Sequence, residues 1–92
     1  MRTDRQRERR MIAVIALRTR AYGRHRSAAR RELAEAADRA LRKASEDERQ
    51  VYQAEFVEGM DGKRISESCH VSLATYYRIR TRLIERVADE VG

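Results

Sequence analysis

Apolar residues recur along this chain at three- and four-residue steps, the spacing of one face of a helix. A first helix is predicted from a cap at Thr3 or Asp4 to about Tyr22, with Met11, Ile12, Val14, Ile15, Ala16 and Leu17 as its apolar positions. Gly23 is the natural break. A second helix is predicted from about Ser27 to Ala44, where Ala29, Leu33, Ala36, Ala37, Ala40, Leu41 and Ala44 form one stripe whose alanines permit close helix approach. Both stripes read first as core packing, with a seam between two copies of the chain as the alternative. Ser45 opens a third helix, and Glu48 completes a capping box in which each side chain bonds the other's backbone N–H. Val51, Tyr52, Ala54, Phe56 and Val57 supply its apolar face, and 58–62 ends it with two glycines suited to positive φ.

The segment after Gly62 meets the physical demands of a helix-turn-helix. A short helix buries Ile65 and Cys69, and Ser66 is small where a second helix crosses. Val71 plugs the corner, and Ser72 caps the second helix by accepting from the N–H of Ala74 or Thr75. Tyr76, Ile79, Leu83 and Val87 then fall on one stripe of a helix running to about Val91. Ala74, Tyr77, Arg78 and Thr81 fall on the other side, with Leu73 at its leading edge. That second face suits the major groove of duplex DNA. Arg78 can fork onto guanine or a phosphate, and Tyr77 can donate to phosphate. Thr75 and Thr81 can bond phosphate or base, and Leu73 and Ala74 can meet a thymine methyl. Lys63 and Arg64 open the preceding helix as a backbone clamp, and Arg80 and Arg82 flank the face as phosphate contacts. The plainer alternative is a helical hairpin with a solvated arginine face. The cap, the corner and the stripe agree with one another and favour the helix-turn-helix.

From Tyr52 to Gly92 the chain resembles the sigma-factor region-four type of helix-turn-helix. More narrowly, it is similar to the small phage and prophage regulators of the ArpU and RinA type. The residues that carry the likeness are Gly62-Lys63-Arg64-Ile65-Ser66 and Val71-Ser72-Leu73-Ala74-Thr75-Tyr76-Tyr77-Arg78, followed by Leu83, Ala88 and the final Val91-Gly92. Cys69 and His70 stand where leucine and glycine are commoner; histidine tolerates left-handed geometry better than most residues. The resemblance implies a bacterial or phage DNA-binding transcription regulator of the late-gene activator kind. Small terminase subunits, which package phage DNA and assemble into rings, also use this fold. An assembly protein of that kind, with the Leu33–Ala44 stripe as its oligomer surface, is the alternative.

Composition sharpens the picture. Proline is absent and glycine occurs four times in 92 residues, which favours a few long helices over many short strands. The expected fold is a small all-α domain, with 1–44 a basic helical hairpin and 45–92 the helix-turn-helix DNA-binding region of one compact unit. The formal net charge is +6, yet residues 1–31 carry eleven arginines against two acids while 32–61 carry four bases against nine acids. A basic small domain expects a polyanion, duplex DNA first. The N-terminal arginines either grip phosphates beside the helix-turn-helix or neutralise the acidic middle. RNA polymerase, docked on that middle, and a second copy of the chain are further candidate partners. The apolar run 11–17 is far too short to span a bilayer, and the lone Cys69 excludes an internal disulfide, so a cytoplasmic setting without a membrane role is expected. Cys69 reads as a small core residue, His25 as solvated or phosphate-facing, and Glu46, Asp47 and Glu48 as complements to a helix dipole. No cofactor, metal or catalytic signature is apparent.

Overall fold

The computed structural model describes residues 4–23 and 25–91. Among these the chain forms α1 (Asp4–Tyr22), α2 (Ala28–Lys43), α3 (Glu46–Tyr52), α4 (Gly62–Ser68) and α5 (Leu73–Val91), and no strand. A π-helical turn, Gln53–Val57, continues α3 without a break. The N-cap expected at Thr3 lies outside the described residues. Gly23 ends α1 with φ 71°, where a side chain would be strained. Ser27 caps α2 by accepting from the Arg30 N–H at 3.2 Å. The carbonyls left over at the end of α2 are met from outside: the Arg49 guanidinium donates to Leu41 O at 3.4 Å and Ala44 O at 2.5 Å.

Two apolar clusters make the core. In the first, Ala13, Ala16 and Leu17 of α1 meet Ala37, Ala40 and Leu41 of α2, Tyr52, and Leu83, Ile84, Val87 and Ala88 of α5. In the second, Val51, Ala54, Ile65, Tyr76 and Ile79 close around the start of α5, with Met60, Cys69 and Val71 against them. Helix α5 therefore belongs to both, and the α1–α2 pair shares its core with the C-terminal half of the chain. The small side chains of α1 and α2 let their backbones approach closely.

The inward faces differ from the expected stripes. On α1, Met11, Ile12 and Ile15 are exposed, because the arc of Ala13, Ala16 and Leu17 faces the other helices. On α2, Ala29 is exposed and Ala34 is buried instead. The stretch 33–44 is largely consumed inside the chain: Ala34, Ala36, Ala37, Ala40, Leu41 and Ala44 are all buried. That leaves little of the proposed oligomer stripe for a neighbour. The π turn was not expected either. It lets Tyr52 and Phe56 stack at 5.9 Å in or against the first cluster while Val51 and Ala54 enter the second.

Polar ties between helices also depart from expectation. Ser45 accepts from the Glu48 N–H at 3.4 Å, but Glu48 does not reach back to the Ser45 N–H. Its carboxylate accepts from Arg86 Nε at 2.7 Å and shares the Ser45 hydroxyl, at 2.8 Å, with Asp47, and it is buried. So Glu48 is the buried partner of α5, beyond any complement to the α3 dipole. Gly62 does not take positive φ; it opens α4, and a Cβ there would stand 3.0 Å from Tyr76 Cε2. No helix among the described residues is long and apolar enough to cross a membrane.

Candidate nucleic-acid interface

Asp61 caps α4 by accepting from the Arg64 N–H at 2.9 Å. Lys63 and Arg64 stand exposed in that first turn while Ile65 and Ser66 turn inward, the Ser66 hydroxyl donating to Lys63 O at 2.8 Å. The helix ends in a Schellman-type cap. Val71 N–H donates to Ser66 O at 3.0 Å and His70 N–H to Glu67 O at 3.3 Å. His70 occupies the left-handed position with φ 56°, the place where glycine is usual. Val71 packs on the second cluster beside Cys69.

Ser72 then caps α5, accepting from the Thr75 N–H at 3.1 Å while its own hydroxyl donates to Thr75 Oγ1 at 2.9 Å. The two faces of α5 separate cleanly. Tyr76, Ile79, Leu83 and Val87 are buried. Leu73, Ala74, Tyr77, Arg78, Thr81 and Arg82 are exposed, and Thr75 is half-buried. Ala74, Tyr77, Arg78, Thr81 and Arg82 line one open, shallow groove. The Tyr77 ring, 54 % exposed as a residue, lies 5.0 Å from the buried Tyr76 ring, which steadies its base.

The four arginines of α5 are not equivalent. Arg80 Nε lies 2.9 Å from both oxygens of Glu55, so it is turned toward the π turn and away from the phosphate role expected of it. The same Glu55 accepts from the Tyr76 hydroxyl at 2.6 Å. Burial first, and then that anionic partner, push the Tyr76 phenol far above its ordinary range, so it stays a proton donor. Arg86 is held by Glu48 at 2.7 Å, and the hydrogen bond it donates to that carboxylate holds the guanidinium above its ordinary value. Arg82 has a looser approach to Asp47 at 3.7 Å, with both side chains about half exposed. Arg78 has no carboxylate partner among the described residues, and neither do Lys63 and Arg64.

The N-terminal arginines follow neither expected course as a group. Arg9 pairs with Asp89 at 3.2 Å and Arg10 with Glu85 at 3.3 Å, both on the last turns of α5. Among the described N-terminal arginines only Arg20 turns to the acidic middle: it holds Asp38 at 3.0 Å, donates to the Tyr52 hydroxyl at 3.0 Å and lies over that ring. The Arg20 hydrogen bond, helped by Arg42, keeps the Asp38 carboxyl below its ordinary value. His25 is half-buried, and its Nδ1 is enclosed without a hydrogen-bond partner among the described residues, so it is less solvated than expected. Among the described residues no three His, Cys, Asp or Glu side chains converge as a metal site would need. The ion pairs of Glu48 and Glu55 had no local sequence signal, since each joins residues more than twenty positions apart. Comparisons with family models, with characterised proteins and with solved structures return no significant match to this chain.

Proposed function

We propose that this protein is a sequence-specific duplex-DNA-binding transcription regulator that works without catalysis. In this reading α4, the turn 69–72 and the start of α5 form a helix-turn-helix, and α5 enters the major groove. Arg78 and Tyr77 lead the contact, Ala74, Leu73, Thr75 and Thr81 supply apolar and hydroxyl contacts, and Arg82 reaches phosphate. Lys63 and Arg64 clamp the DNA backbone beside Ser72 and the N-terminus of α5. The likeness to ArpU- and RinA-type phage regulators extends the reading to a late-gene activator acting in the bacterial cytoplasm.

The observation that carries the reading is the allotment of charge on α5. Arg80, Arg82 and Arg86 each meet a carboxylate, whereas Arg78, in the middle of the exposed face, meets none among the described residues. A solvated arginine face has no need to keep its central member apart in this way; a DNA-reading face does. The test is selection of bound duplexes from a random pool. An enriched motif is expected. Retention of DNA with no sequence enrichment, or no retention at moderate salt, would overturn the proposal.

A further inference from the structure

Among the described residues, the outer face of α1 is left open to solvent. Met11 is 63 % exposed, Ile15 48 % and Tyr22 82 %, and Ile12 is also exposed beside them. With Asp4, Glu8 and Arg18, the three residues Met11, Ile15 and Tyr22 follow alternating four- and three-residue steps: 4, 8, 11, 15, 18 and 22. At 3.6 residues per turn these six positions lie in a strip about 80° wide, the width of a coiled-coil seam. The strip is ordered by charge. Two acids stand at its start, two apolar residues in the middle, and a cation and a phenol at its end. Asp4, Glu8 and Arg18 form no ion pair among the described residues.

We infer that this strip pairs with the same strip of a second copy, antiparallel and about a twofold axis. Antiparallel pairing sets residue 4 against 22, 8 against 18, and 11 against 15. Glu8 then meets Arg18 of the other copy, Asp4 accepts from the Tyr22 hydroxyl, and Met11 packs on Ile15, each contact made twice. Ile12 lies beside the axis and packs on its own counterpart. The groove formed by Ile15, Arg18, Thr19 and Tyr22 is bordered by Arg26 and Arg30. Asp4 and Glu8 of the second α1 arrive over that basic border. A nucleic acid, an anionic lipid surface or an acidic peptide would gain from Arg18 but would face Asp4 and Glu8 at the other end. A second copy satisfies both ends at once. Parallel pairing would instead put Glu8 on Glu8 and Arg18 on Arg18.

The inference is independent of the DNA-binding proposal, and its test needs no DNA. Sedimentation equilibrium across roughly 1 µM to 1 mM protein gives the mass. The intact chain is expected to dimerise. Glu8→Arg and Arg18→Glu, taken singly, place like charges together twice per dimer and weaken association about tenfold or more. Both positions are exposed and form no ion pair among the described residues, so helicity and unfolding midpoint should hold. Mixing E8R with R18E restores complementary pairs and should restore the dimer, as should the double variant E8R/R18E. A monomer across the whole range, a ring of many copies, single variants that dimerise like the intact chain, or failure of both charge-swapped combinations would overturn the inference.

Discussion

Replacing Arg86 by methionine removes the charge against which Glu48 is buried. Glu48 is 1 % exposed, whereas the Arg86 side chain is 38 % exposed. Losing Glu48 thus leaves a cation that water reaches, while losing Arg86 leaves a carboxylate that water does not. Breaking a buried pair so as to strand a charge costs about 3–5 kcal/mol. Protonation sets a ceiling here: forcing a proton at pH 7 onto a carboxyl of ordinary value about 4.3 costs about 3.7 kcal/mol. With the Ser45 hydroxyl still donating at 2.8 Å, Arg86→Met should cost about 3 kcal/mol at pH 7. Glu48→Gln keeps the shape and an acceptor for Ser45, and should cost about 1–2 kcal/mol.

The pH dependence follows from the same pair. In the native protein burial raises the Glu48 carboxyl, but the hydrogen bonds from Arg86 and Ser45 and the charge of Arg86 outweigh it, and the group sits below its ordinary value. Its contribution is therefore complete above the unfolded value and fades as pH falls through the folded one. In Arg86→Met only the Ser45 hydroxyl is left to oppose burial, which raises the carboxyl, so the variant loses stability as pH rises past about 4.3. The gap between the two proteins should be wide at pH 7 and nearly closed at about pH 4. Urea unfolding followed by circular dichroism measures it, and about 3 kcal/mol corresponds to roughly 12–24 °C in melting temperature for a domain of this size. A gap under about 1 kcal/mol at pH 7, or one unchanged between the two pH values, would refute the reasoning.

Other substitutions probe the turn and the clamp. His70 holds φ 56°, so His70→Gly should stabilise the fold by up to about 1 kcal/mol and His70→Val should destabilise it by about 1–2 kcal/mol, moving the urea midpoint up and down in turn; equal midpoints would contradict the turn geometry. Lys63→Ala with Arg64→Ala should weaken binding to all duplexes alike and reduce the salt slope by about two, and an unchanged slope would take both residues off the DNA backbone. A twofold dimer offers two copies of α5, so selected sites should be inverted repeats. A motif with a single asymmetric half would show that the dimer does not bind as a symmetric pair.

Much of this architecture was legible because its signals are local. Ser27, Ser45 and Ser72 each precede a helix that the residue then caps, and Gly23 breaks the first helix where the pattern stops. The buried stripe Tyr76, Ile79, Leu83 and Val87 follows from spacing alone, and so does the exposed side that carries Tyr77 and Arg78. What was hidden depends on which distant helix comes near. Spacing marks Met11 and Ile15 as apolar on one helix, but it does not say that the alanine arc beside them takes the core. Glu55 and Arg80 look like two surface charges until the π turn carries one to the other. Gly62 reads as a turn glycine and is required instead by the Tyr76 ring across the corner.

The central claim is that Arg78 reads a base from the exposed face of α5. Titrating the selected duplex with the intact protein and with Arg78→Ala tests it most directly, beside a duplex changed at each position in turn. The account predicts a loss of about 1–3 kcal/mol on the selected site, with base preference relaxed at one position and binding to unrelated duplexes little changed. Superimposable curves for the two proteins on the selected site, or an equal loss on every duplex, would contradict it.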